Sequence, residues 1–115
     1  MIRTTVVDAY GGSIRVTYED GKPAMLVLKE DVLFDRYTLD YLTLENFIRT
    51  FEYARDEMGK CPKTWKSVVE VSRHGTGDVL VEGNMCSVYL SNEMLDAVIE
   101  NLRNVQYWYE IHGVI

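Results

Sequence analysis

Histidine, cysteine and long apolar runs are scarce in this 115-residue chain. Its only histidines are His74 and His112, beside a turn and near the end of the chain. Neither sits where it could serve a serine or cysteine nucleophile as base, so no catalytic residues are assigned. Cys61 and Cys86 form no C-x-x-C and have no histidine at zinc spacing. No metal set is predicted, and in a cytosolic chain both thiols are expected to be reduced. A Gly-Lys-[Ser/Thr] phosphate loop and a dinucleotide fingerprint are both absent, so no cofactor is expected. Apolar runs are short, as in Ala24-Met25-Leu26-Val27-Leu28, too short to cross a membrane. No basic-then-apolar leader opens the sequence, which sets the expectation of a cytoplasmic protein. Basic residues are outnumbered, 12 Lys and Arg against 18 Asp and Glu, for a net charge of −6. Nucleic acid is ordinarily held by basic surfaces that release counterions, so direct nucleic-acid binding is disfavoured.

What is present is ordinary globular composition, 47% hydrophobic and 26% charged, enough for one domain with one core over residues 1–115. Thr4 to Tyr10 is rich in β-branched residues, and Ser13 to Glu19 alternates with Ile14, Val16 and Tyr18 on one face. Gly11-Gly12 and Asp20-Gly21 supply turns. Residues 24 to 29 read as a third strand, covered on both faces or lying at a dimer contact. Residues 31 to 40 read as a strand or a loop. A helix is expected from about Leu44 to Met58, capped by Thr43. Its apolar stripe runs Leu44, Phe47, Ile48, Phe51, Ala54 and Met58. Strands follow in 65–73, 79–81 and 85–90, with a Gly83-Asn84 turn, and a last helix begins after Ser91 and extends toward Ile111. Tyr41-Leu42-Thr43-Leu44-Glu45 and Tyr89-Leu90-Ser91-Asn92-Glu93 echo each other as a helix-start joint. The predicted class is α+β. About six strands form an antiparallel sheet as two meander-plus-helix units, with both helices on one face.

Candidate sites are all of the binding kind. Successive helix residues point about 100° apart, so Tyr107, Trp108 and Tyr109 cannot all face one core. An outward aromatic is a common interface anchor. The acids Asp31, Asp35 and Asp40, with Glu52 and Asp56 on the first helix, suggest an acidic docking surface in which Tyr37 and Tyr41 add contact area. Glu30, Asp96 and Glu100 would extend it. His74-Gly75-Thr76 resembles the His-x-Thr motif of two-histidine phosphoesterases, a family that needs two such motifs. His112-Gly113-Val114 lacks the hydroxyl, and a histidine in a glycine-rich turn is the simpler reading. Arg73 to Gly77 also allows a small anion nest.

The expected function is therefore a non-enzymatic, protein-binding module, a possible homodimer, that occupies a partner bearing a basic surface. In size and charge it is similar to anti-CRISPR proteins, the small acidic inhibitors of phages and mobile elements. A small-ligand or phosphate-binding domain is the alternative.

Overall fold

Every strand pairs with its neighbour in the chain. The computed structural model describes residues 2–19, 21–56, 70–73, 78–83 and 85–112. In chain order these form β1 (Ile2–Ala9), β2 (Gly12–Glu19), β3 (Lys22–Lys29), β4 (Val32–Thr38) and α1 (Tyr41–Asp56), followed by β5 (Glu70–Arg73), β6 (Val79–Glu82), β7 (Ser87–Leu90) and α2 (Asn92–His112). The strands divide into a four-stranded antiparallel sheet, β1-β2-β3-β4, and a three-stranded one, β5-β6-β7. The expected class and the meander-then-helix order both hold. The sheet count differs, because among the described residues the two sheets share backbone pairing at a single bridge. There the Tyr10 N–H donates to the Tyr89 carbonyl at 2.8 Å, and the Tyr89 N–H donates to the Tyr10 carbonyl at 3.1 Å.

The ambiguous segment 31–40 is mostly β4. Its turn from β3 is made by Glu30 and Asp31, with φ of 50° and 63°. Positive φ at both central residues is the twist-matched hairpin geometry. The alternation was hard to read because the register slips between Val27 and Leu28: Val27 faces Asp35 and Leu28 faces Leu33. Phe34 is the extra residue of a bulge.

The first helix begins earlier than its apolar stripe suggests. Asp40, not Thr43, is the N-cap: its carboxylate accepts the Thr43 N–H at 2.8 Å, and the Thr43 hydroxyl accepts the Asp40 N–H at 3.0 Å. This is a reciprocal capping box with threonine in the usual glutamate place. Glu45 consequently lies beyond the first turn. At α2 the expectation holds, since Ser91 Oγ accepts the Met94 N–H at 3.3 Å. The two Tyr-Leu joints are thus not equivalent, because Tyr41 opens a helix whereas Tyr89 belongs to a strand. The predicted features at Met58, Cys61, Trp65 to Val69, His74 and Asn84 lie outside the described residues.

One hydrophobic cluster joins both sheets and both helices. Val7, Ile14, Val16, Tyr18, Met25 and Val27 come from the four-stranded sheet, and Phe47, Ile48, Phe51, Leu95, Leu102 and Val105 from the helices. The helices close on each other through charge as well. Arg103 of α2 reaches Glu45 of α1 at 3.0 Å and also pairs with Glu52. Gln106 donates to Glu45, and that bond followed by the Arg103 charge holds the Glu45 carboxyl below its ordinary range.

Candidate protein-interaction face

Strand register decides which side chains share a face. Across the four-stranded sheet Val7 faces Ile14 and Ile14 faces Val27, all on the helix side. The opposite side therefore carries the alternate residues. One row across it reads Val6, Arg15, Leu26, Arg36 from β1 to β4, and the next reads Asp8, Ser13, Leu28, Leu33. Tyr10 continues the parity of Val6 and Asp8, and the bridge sets it beside Tyr89. Both helices pack on the other side. Val6 is 56% exposed, Tyr10 53%, Leu33 49% and Tyr89 45%. Ala24 and Leu28 are buried on this side yet take no part in the core cluster. An exposed apolar stretch of this kind marks an interaction surface more often than a random sprinkle of side chains does.

The charges on this face are unusual for an acidic chain. Along the helices Arg49, Arg55 and Arg103 all pair with carboxylates. Arg3 lies over the Trp108 ring, 4.5 Å from its centroid. Arg15 and Arg36 have no carboxylate partner among the described residues, and the Arg15 Nε is buried without an acceptor. Leu26 stands between them, so two strand spacings, about 10 Å, separate their backbones.

The residues singled out from sequence fall in several places. Asp35 is buried, only 5% exposed, and so adds nothing to an acidic surface. Its carboxylate accepts the backbone N–H groups of Met85 and Cys86, each at 3.1 Å, and clamps the β6–β7 turn onto β4. Gly83 lies so close that a Cβ there would collide with Asp35 and the Tyr37 hydroxyl. Tyr37 is buried against this turn and the Phe47 ring, so it is core and not contact area. Of the aromatic triplet, Tyr107 is outward, Trp108 is half-buried beside Arg3 and Tyr18, and Tyr109 is buried. Asp31 is exposed at the β3–β4 turn and Asp40 is exposed as a cap, while Tyr41 opens α1. Glu52 and Asp56 are spent on Arg103 and Arg55. The proposed acidic surface is thus dispersed, and part of it is neutralised within the molecule.

The sequence reading reached the sheet face opposite the helices only through residues 24 to 29, with a dimer contact as one alternative. It did not single out Val6, Tyr10, Arg15, Leu33, Arg36 and Tyr89 as site residues. The signal for that face was the apolar run of β3, whose outward residues have no helix to cover them.

Cys86 touches the buried carboxylate through its thiol, Sγ to Oδ2 at 3.5 Å. Burial pushes this thiol up, the hydrogen bond to Asp35 and its negative charge push it further, and Lys29 opposes them. A raised thiol is a poor nucleophile at neutral pH. In a Cys61→Ser background, alkylation of Cys86 is expected to reach half its limiting rate above the ordinary thiol range near ~8.5. Asp35→Asn is expected to move that midpoint down, and a midpoint unmoved by the change would remove the carboxylate from the account.

Among the described residues there is no cluster of His, Cys, Asp and Glu able to hold a metal ion, and no helix long and apolar enough to cross a membrane. No family model, curated protein or solved structure matches the chain.

Proposed function

We propose that the chain is a protein-binding module that works by occupying a surface, not by turnover, and that the helix-free side of its four-stranded sheet is where it binds. One observation carries this reading: Val6, Tyr10, Leu33 and Tyr89 lie exposed on a single face together with two arginines that have no carboxylate partner among the described residues. Apolar anchors around arginine are the composition of interface centres. The test is capture from lysate by immobilised wild type and by Leu33→Glu. A specific bound protein, a second copy of this chain included, that is lost with Leu33→Glu is the expected result. Equal capture by both proteins would move the interface elsewhere.

A second reading draws on Glu93, Asp96 and Glu100, which are exposed along α2. It keeps the basic partner, and in its sharpest form it is a small acidic inhibitor of the phage or mobile-element kind. Binding of that sort weakens steeply with salt, because exposed charges are screened beyond about 8 Å at physiological ionic strength. It would also be indifferent to Leu33→Glu.

A further inference from the structure

We infer that the occupant of the helix-free sheet face is a second copy of this chain, packed face to face about a two-fold axis that runs along the strands between β2 and β3. The inference rests on the reading of that face as an interaction surface and names what covers it.

The argument is one of charge register. By parity the face carries Asp8 on β1, Arg15 and Glu19 on β2, Lys22 on β3 and Arg36 on β4. None of these five has an ion-pair partner among the described residues. The face alone is therefore nearly balanced in charge while the whole chain stands at −6. A two-fold parallel to the strands lays β1 of one copy over β4 of the other, and β2 over β3. Each residue keeps its level along the strand under that rotation. Lys22, which faces Glu19 of its own chain across the β2–β3 ladder, then also lies under Glu19 of the second copy, and Asp8 of the second copy comes over Leu33, within reach of Arg36. Symmetry repeats both pairs, giving self-complementary contacts of the isologous kind. Val6 of the second copy covers the Arg36 stem, and Arg15 covers Leu26. A two-fold across the strands at the level of Arg15 would instead set β2 on β2 and stack Arg15 on Arg15. Of these two axes the strand-parallel one avoids stacked like charges. An axis across the strands at the level of Thr17 would set Arg15 over Glu19 without bringing Asp8 to Arg36, so the exchange of Asp8 and Arg36 tells it apart from the axis inferred here.

Dimensions agree. Four strands at about 4.8 Å and eight residues at about 3.3 Å make a face of roughly 500 Å² per copy. Two such faces reach the ~1,000 Å² that a biological contact needs. Sheets packed in this way lie about 10 Å apart, close enough for an arginine and an aspartate to meet across the gap.

The experiment is sedimentation equilibrium on wild type, Asp8→Arg, Arg36→Asp and the double exchange Asp8→Arg/Arg36→Asp, with thermal melts to show that each is folded. Wild type is expected at twice the 13.3 kDa chain mass. Each single change should raise the dimer dissociation constant about tenfold or more, and the exchange should bring it back. A wild type still monomeric at about 200 µM, well above the micromolar range of a modest interface, overturns the second copy. So does a dimer that no charge change disturbs, or one that the exchange fails to restore. A monomer that nevertheless loses a captured protein with Leu33→Glu overturns only the occupant, and leaves the face as the binding surface.

Discussion

Asp35→Ala is expected to lower stability by about 3 kcal/mol and the melting temperature by roughly 10 °C. Asp35 is buried, and the backbone N–H groups of Met85 and Cys86 end on it. Both donors belong to a tight turn with no sheet partner to take them over. Losing the acceptor leaves each orphaned at about 1–3 kcal/mol, and opens a void under Gly83. Asp35→Asn keeps an acceptor and should lose about half as much. Thermal and urea unfolding of the three proteins settles the matter. An alanine variant within about 0.5 kcal/mol of wild type would mean that the turn holds itself.

Phe51→Ala is expected to cost about 4 kcal/mol, within the 3–5 range for a fully buried ring. Phe51 has no exposed surface, and its ring stacks at a tilt on Phe47, centroids 5.4 Å apart. Phe47 in turn meets Tyr37 of β4. The ring thus sits inside the core cluster that joins the helices to both sheets. Against a total of about 10 kcal/mol for a chain of this length, the variant still folds and its urea midpoint falls by about 40%. A loss near 1 kcal/mol would show that the helix can slide to refill the space. Phe51→Leu, which leaves a smaller void, should cost about a third as much.

How far the sequence carried can be judged from these same residues. Phe51 was legible, because Leu44, Phe47, Ile48 and Phe51 repeat at helical spacing and all are buried. Ile14, Val16 and Tyr18 were legible for the same reason at a period of two. Asp35 was not. An aspartate among charged neighbours looks solvated, and what buries it is a turn 50 residues away that leaves no mark on the local pattern. The bulge at Phe34 hid β4 by breaking its alternation. The start of α1 was misplaced because Thr43 caps in partnership with Asp40, three residues earlier, and either could fill the capping role alone. The sheet face was half-legible. Its apolar residues stand out in β3, but the row Val6, Arg15, Leu26, Arg36 exists only once strand order and register are known.

The single bridge between Tyr10 and Tyr89 has a consequence for how the chain reaches this structure. All five ladders connect strands adjacent in sequence, so each meander closes short loops and forms at small entropic cost. Nothing in either meander waits for the other. The contacts that join the two sheets are long-range, the Asp35 clamp reaching across 50 residues and the Tyr10–Tyr89 bridge across more, and they complete only when two preformed halves dock. Assembly is therefore late and folding proceeds from local pieces, which leaves the face bearing Tyr10 and Tyr89 incomplete until the last step.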